Sequence, residues 1–385
     1  MAHSGPRAST DHRARAVESM RRKRPPLRLG IVGCGYACER LHLPAIASLS
    51  DLRAVAIADI DPERLGSVGR RFAIDRRYRD HEMLLRDPEV DAVAVCVPPA
   101  AHAPIVLAAL DARKHVFVEK PLCLDLDEAD RLVGRARTSS ATTMVGFNLR
   151  YHRHVRNARR AIAQELIGQV ELVRSVWSSR STQYTGIPEW RRRGDLGGGV
   201  LSDLAVHHVD LWRFVVASEI DEVFAWQRSE AGAEGRTATI TGRLRSGALA
   251  VSAFSQCAAE AHEMEVYGQH GRLSVSPYRF DGYALSVGTS FSGDLGRRAG
   301  DLVRAVRALP GALASAERRG SFLASYRATW RHFADRAREG IPTESTFDDG
   351  RRALEIVVAA TESIRTGRPV NVGGLERRDG NGSRR

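Results

Sequence analysis

Residues 27–38 read Leu27-Arg28-Leu29-Gly30-Ile31-Val32-Gly33-Cys34-Gly35-Tyr36-Ala37-Cys38. A largely apolar run ends at one glycine, a second glycine follows two positions on, and a helix-compatible stretch begins at once. In a strand–turn–helix unit the first glycine allows the tight turn and the second lets a pyrophosphate approach the backbone. The helix N-terminus then presents its partial positive charge to the phosphates. Cys38 stands at the third small position, where Gly or Ala is usual; a thiol is still compact enough for close helix packing. About two dozen residues later Asp59 closes the next strand-like run, where a carboxylate accepts from a ribose 2′-OH. Asp61 beside it would repel a 2′-phosphate, so NAD is expected as the cofactor rather than NADP.

The flanking sequence gives this motif its fold. Strand-like runs at Leu27–Val32, Ala54–Ala58, Asp91–Val97, His115–Val118 and Thr143–Phe147 alternate with helical patterns at Pro62–Phe72, His102–Ala112 and Asp127–Arg137. Continuously apolar strands between amphipathic helices predict a doubly wound parallel sheet, a Rossmann domain over residues 27–148. After Tyr151 the pattern changes. A helix at His154–Gln164, a strand at Val170–Trp177 and a helix from Val200 to Val215 lead into alternating segments. These are Glu222–Gln227, Ala238–Leu244, Leu249–Phe254, Glu263–Tyr267 and Arg272–Val275, with glycine at several turns. Helical patterns follow at Leu302–Ala316, Ser325–Arg338 and Asp349–Thr366. The expected second unit, residues 149–371, is an α+β domain with an open, mostly antiparallel sheet. The whole chain is thus α/β in class.

Charge separates the function classes. The formal net charge of +12 suggests a polyanion partner. Much of the excess lies in two tails, 1–26 and 372–385, rich in Arg, Gly, Ser and Asp and without apolar periodicity; they read as disordered, and nucleic acid is not expected as a partner. The run Arg21-Arg22-Lys23-Arg24 leads through Pro25-Pro26 into a strand, without the apolar region an export signal needs. No apolar run approaches the ~18 residues that cross a bilayer. The five cysteines form neither a CxxC pair nor a zinc spacing, which predicts reduced thiols and a cytoplasmic protein. Only three lysines occur, Lys23, Lys114 and Lys120, so a lysine within the fold has raised odds of a specific task.

Further segments carry a resemblance. They are Val97-Pro98-Pro99 with His102, Lys114-His115-Val116-Phe117-Val118-Glu119-Lys120-Pro121, Gly146-Phe147-Asn148 with Arg150, and Gly197-Gly198-Gly199 followed by Asp203, His207 and Asp210. In this order and spacing, from about Leu27 to Val370, the chain resembles the glucose–fructose oxidoreductase / inositol dehydrogenase / MocA (Gfo/Idh/MocA) family. Ala205 departs from the glycine that relatives usually carry.

The resemblance implies an NAD-dependent oxidoreductase exchanging hydride between nicotinamide and a ring hydroxyl or ketone of a sugar, cyclitol or nucleotide sugar, working as a homo-oligomer. It implies cofactor contacts at Gly33, Gly35, Tyr36, Ala37, Cys38, Asp59, Val97, Pro98, Pro99, His102, Glu119, Lys120 and Asn148. Substrate contacts are implied at Arg150, Trp190, Arg191, Asp203 and His207. Oxidation must remove an O–H proton as hydride leaves carbon, and an imidazole suits that transfer at neutral pH. His207 is the expected general base, Asp203 orients it or holds a second hydroxyl, and Lys120 stabilises alkoxide charge. Whether His207 or Lys120 takes the proton stays open. Asp203, His207 and Asp210, at i, i+4 and i+7, share one helix face. No metal is expected, since His208 points to another face and no distant third ligand is evident. Basic residues at Arg150, Arg153, Arg156 and Arg191–Arg193 would suit an anionic substrate or simply form a solvated face. Two rival functions share the scaffold: an NAD-dependent glycosidase and a non-catalytic dinucleotide-binding transcriptional co-regulator. A pure sensor has no use for Lys120, Asp203 and His207 together.

Overall fold

A computed structural model describes residues 25–180, 188–228, 235–279, 281–288 and 322–374, with scattered positions between 295 and 309. Nearly all of both tails and most of the Leu302–Ala316 segment lie outside the described residues.

Six parallel strands form the first sheet: β1 (Leu27–Val32), β2 (Leu52–Ala58), β3 (Arg76–Tyr78), β4 (Ala92–Val95), β5 (His115–Val118) and β6 (Thr143–Val145), in the order β3-β2-β1-β4-β5-β6. The order reverses direction between β1 and β4, so the glycine turn after β1 and the Val97-Pro98-Pro99 turn after β4 flank the switch-point crevice at the strands' carboxyl ends. Strand β4 is buried at every position, as a sheet covered on both faces demands. The sequence reading missed β3 and the helix His81–Arg86; three residues of Arg-Arg-Tyr carry no strand pattern.

The second sheet adds β7 (Val170–Ser178), β8 (Ile220–Gln227), β9 (Thr237–Leu244), β10 (Leu249–Ser255), β11 (Ala261–Gly268), β12 (Gly271–Val275), β13 (Tyr283–Val287) and β14 (Val370–Asn371). Their order is β13-β12-β11-β7-β10-β9-β8-β14. It is antiparallel except where β7 runs parallel to β10, the mostly antiparallel sheet expected, with one parallel pair in its middle. Alternation is clean: in β9 the residues Ala238, Ile240, Gly242 and Leu244 face in while the others face out. The inner face packs against the helices Arg153–Ala163, Val206–Val216 and Phe347–Thr366, whose buried residues include Trp212 and Leu354.

Two helices depart from the α geometry expected of them. Cys38–His42, after the glycine turn, and Leu201–Ala205, at the start of the predicted Val200–Val215 helix, are single π-turns. Such widened turns re-aim side chains and recur at functional sites. Here they aim His42 at Glu119 and Asp203 at Lys120.

Candidate functional site

The crevice begins at Gly33. Its φ is +96°, and a Cβ there would stand 2.6 Å from the Cys96 carbonyl oxygen, so the turn demands glycine. Nothing lies within 4 Å of the position a Cβ would take on Gly35, so the backbone is open to an approaching phosphate. Tyr36 is exposed and Ala37 half-buried beside it, whereas Cys38 is enclosed against Cys34 and contributes packing. Asp59 lies at the end of β2. Its Oδ2 accepts from the Cys34 amide at 2.7 Å and its Oδ1 from the Asp61 amide at 2.9 Å, so one carboxylate braces the glycine turn and borders the site. These features fit a dinucleotide: an open cradle, a short amide-lined turn and a braced acidic rim.

The far wall is made by Val97, Pro98 and Pro99. Gly197 (φ +91°) meets it, and a Cβ there would stand 2.6 Å from Pro99 Cβ, so the triple glycine brings the second domain's loop hard against the first. His102 is wholly buried, with Nδ1 2.9 Å from the Pro121 carbonyl and Nε2 2.9 Å from that of Val97. It ties the two turns together and is corrected from a cofactor contact to a clasp behind the site. Asn148 is likewise interior, donating from Nδ2 to Ser325 Oγ at 2.9 Å. Arg150 is a larger correction. Only 4% exposed, it grips Asp210 through Nε (2.8 Å) and Nη2 (2.5 Å), and reaches Asp349 at 3.0 Å and the Glu344 carbonyl at 2.6 Å. Four of the five guanidinium N–H donors are engaged within the protein, so this buried arginine serves the fold rather than a substrate. Asp210 accordingly faces Arg150 and does not join Asp203 and His207.

Those two residues converge with Lys120 from the other domain. Lys120 Nζ donates to Asp203 Oδ1 at 3.1 Å and to the Asp203 carbonyl at 2.8 Å. Gln256, at the end of β10, donates to Asp203 Oδ2 at 3.3 Å. Burial works to raise the Asp203 carboxyl's pKa, but the charges of Lys120 and Arg191 and these hydrogen bonds outweigh it and hold it below the ordinary carboxylate range. Asp203 therefore pairs with the lysine and does not orient His207.

His207, 7% exposed, finds no hydrogen-bond partner among the described residues and lies beside Trp177 of β7, ring centroids 5.0 Å apart. Burial, then the charge of Lys120, pushes its pKa well down, so the ring is neutral at pH 7. Arg191, half-buried on the turn Glu189–Arg192, shares the field of Asp203, His207 and Tyr326; Trp190 lies half-buried beneath its guanidinium, 5.7 Å away. Arg193 pairs with Asp195 and Arg156 with Glu344, so neither is free for an anion.

Residues the sequence reading missed complete the site. His42 Nε2 stands 3.0 Å from Glu119 Oε1, while Trp330 Nε1 donates to His42 Nδ1 at 3.2 Å. Glu119 Oε2 accepts the Lys120 amide at 3.1 Å. The carboxylate next to the lysine is thus fixed from the second domain's helix Phe322–Glu339. Burial opposes ionisation of Glu119, but His42 and Lys120 prevail and hold it charged. Gln256, Trp177, His262 and Tyr326 were also missed, being ordinary strand and helix residues in a single sequence. Among the described residues no group of three or more His, Cys, Asp or Glu side chains is arranged to hold a metal ion.

Two family descriptions match the chain: "Oxidoreductase family, NAD-binding Rossmann fold" over residues 27–147 and "Oxidoreductase family, C-terminal alpha/beta domain" over 159–372. The chain is 29% identical to a myo-inositol 2-dehydrogenase of Thermotoga maritima, covering 90% of this chain and 98% of that one. A D-apiose dehydrogenase of Paraburkholderia graminis is 27% identical over 90% of each. A solved structure of a probable dehydrogenase from Thermotoga maritima superposes with a TM-score of 0.71 at 26% identity, over 90% of this chain and 99% of that chain. With both domain descriptions matched in order across a shared crevice, the chain belongs to the Gfo/Idh/MocA family of NAD-binding oxidoreductases.

Proposed function

We propose that this protein oxidises a secondary ring hydroxyl of a cyclitol or free sugar, or reduces the matching ketone, using NAD. The observation that carries the reading is Lys120 Nζ, 3.1 Å from Asp203 Oδ1, beside a buried His207 that has no hydrogen-bond partner among the described residues. Full-length likeness to a myo-inositol 2-dehydrogenase and a D-apiose dehydrogenase supports the substrate class.

Gly33, Gly35, Tyr36 and Ala37 would receive the pyrophosphate, Asp59 the adenosine ribose, and Val97, Pro98 and Pro99 the far face. Nicotinamide supplies the hydride acceptor when the dinucleotide is bound. The chain's own groups manage the proton. Lys120 donates to the reacting oxygen and favours its alkoxide character. His207, uncharged, accepts the hydroxyl proton on the ring nitrogen that faces the substrate. Asp203 fixes the ammonium and, with Gln256, offers an acceptor to a neighbouring hydroxyl. Trp190 and Arg191 close the side next to the triple-glycine turn. His102, Asn148 and Arg150 act at one remove, by holding the loops that carry these groups.

Asp59 and Asp61 favour NAD over NADP. The setting is the cytoplasm, and the molecule works as a homo-oligomer. Among the described residues no helix is long and apolar enough to cross a membrane. The test is a panel of cyclitols, aldoses and nucleotide sugars with NAD, followed by absorbance of the reduced cofactor. Steady NADH accumulation with a cyclitol or aldose is expected. Cleavage of an aryl glycoside without net NADH, or no turnover with any polyol, would overturn the reading.

A further inference from the structure

Three inner-face residues form a row across the sheet floor beneath His207: Phe254 of β10, Trp177 of β7 and His262 of β11, paired in register. Below His262 on the same face of β11 stand Met264 and Val266, both buried and apolar. A strand whose inner face is otherwise hydrocarbon carries an imidazole at the end nearest the catalytic groups. The ring stacks face-on against Trp177, centroids 4.1 Å apart and planes at 12°. It neighbours Tyr278 at 5.0 Å. From Tyr278 the aromatic wall continues through Phe322 to Tyr326, whose ring stands 5.3 Å from that of His42.

His262 is 5% exposed, its Nδ1 is fully enclosed, and neither ring nitrogen meets a hydrogen-bonding partner among the described residues. Leaving a polar ring unsatisfied in a core where phenylalanine would pack equally well is unfavourable, so such groups mark a role outside packing. His208 beside it shows the contrast, since its Nδ1 is anchored on Ser175 Oγ at 2.8 Å. Nothing anchors His262 except the faces of its aromatic neighbours. Trp177 touches both His207 and His262, so the free imidazole flanks the reacting position.

We propose that His262 is a specificity-determining residue that hydrogen-bonds a second, non-reacting hydroxyl of the polyol, while Trp177 and Tyr278 pack against the ring's C–H faces. This rests on the polyol reading above. With Nδ1 enclosed, Nε2 is the ring atom left to meet the substrate, and according to tautomer it donates to or accepts from a single hydroxyl in a dry pocket. A substrate lacking that hydroxyl leaves the ring unsatisfied, so the site selects against deoxy analogues.

The test uses the full-length protein with NAD and myo-inositol, beside deoxy-inositols lacking one hydroxyl each. His262→Phe keeps the stack and removes the polar atoms; His262→Gln restores a donor and an acceptor. For His262→Phe, KM is expected to rise about tenfold with kcat changed less than about threefold, the mark of lost ground-state binding. One deoxy-inositol should then be used as well as myo-inositol, and His262→Gln should recover part of the KM. NADH affinity should not move. Should His262→Phe fail to fold, the ring nitrogens of His262 in the wild type, followed by NMR as myo-inositol is added to the NADH-bound protein, provide the same test: a shift supports the role, and unchanged signals overturn it. Unchanged KM and unchanged deoxy discrimination overturn it, as does a joint loss of kcat and NADH binding, which would mean a structural role. Wild-type protein that turns over no polyol is a separate result; it removes the proposed function, and this inference with it.

Discussion

Replacing Lys120 by methionine separates what the lysine does for the fold from what it does for the reaction. Its side chain is 13% exposed, and the ammonium stands 3.1 Å from the carboxylate of Asp203, whose side chain is 6% exposed. With the lysine gone, Asp203 keeps one weak partner, Gln256 at 3.3 Å, and the more distant charge of Arg191. Removing one member of a buried pair costs about 3–5 kcal/mol, because the remaining charge is left without compensation. For a domain of this size that corresponds to a fall in Tm of roughly 6–20 °C. The double variant Lys120→Met/Asp203→Asn removes the stranded charge as well and should recover most of that loss. Turnover behaves differently. Both variants lack the donor to the reacting oxygen, and both should lose about 10²–10⁴-fold in kcat. The assay is thermal unfolding without cofactor alongside NADH production with a polyol that the wild type uses. A single variant with wild-type Tm would show that the pair does not hold the fold, and a double variant that regains turnover together with stability would remove Lys120 from the reaction.

Acid stability should follow the buried histidines. Burial lowers His208 and His152 to about 3, and His154 to about 4, each below the ordinary value of 6.5. The unfolded chain therefore takes up protons below pH 6.5 that the native state refuses until roughly pH 3–4, so stability falls as pH drops through that window, by up to about 1.4 kcal/mol per pH unit for each such histidine. The urea midpoint should decline from pH 7 to pH 5, and a flat profile would contradict the burial of these rings. Arg150→Lys cannot reproduce the two-pronged grip on Asp210 and should destabilise by about 3 kcal/mol or more while leaving KM for polyol in the folded protein near wild type. A raised KM with unchanged unfolding would return Arg150 to the substrate site. Gly33→Ala forces a Cβ to 2.6 Å from the Cys96 carbonyl at φ +96°, so NADH binding by fluorescence titration should weaken at least tenfold. Wild-type affinity would mean that the turn is not the cofactor's seat.

Much of the first domain was legible because its signals are local. Leu27–Val32 and His115–Val118 form strands with the bounds that their apolar runs indicate, and Gly33 adopts the positive φ that the turn requires. The pairing of Lys120 with Asp203 across 83 positions could be suspected only from the resemblance, because nothing in either segment points to the other. Helical spacing placed Asp203, His207 and Asp210 on one face. The pull of Arg150 divided them between two environments, leaving Asp203 and His207 at the crevice and drawing Asp210 behind it. Arg150 looked like a ligand for an anion because its partners, Asp210 and Asp349, lie 60 and 199 positions away. His42 and His262 left no trace, since a histidine among apolar residues reads as core until its neighbours are known. The parallel pair was hidden for the same reason: β7 and β10 are neighbours only through topology.

In the proposed mechanism one polyol carbon meets Lys120 from the first domain and His207 from the second. A crystal structure of the protein with NADH and a polyol that it oxidises tests this directly. The carbinol oxygen should lie within ~3.5 Å of both Lys120 Nζ and a His207 ring nitrogen, with its carbon facing the nicotinamide. A polyol bound elsewhere, or a nicotinamide ring lying away from these two side chains, would contradict it.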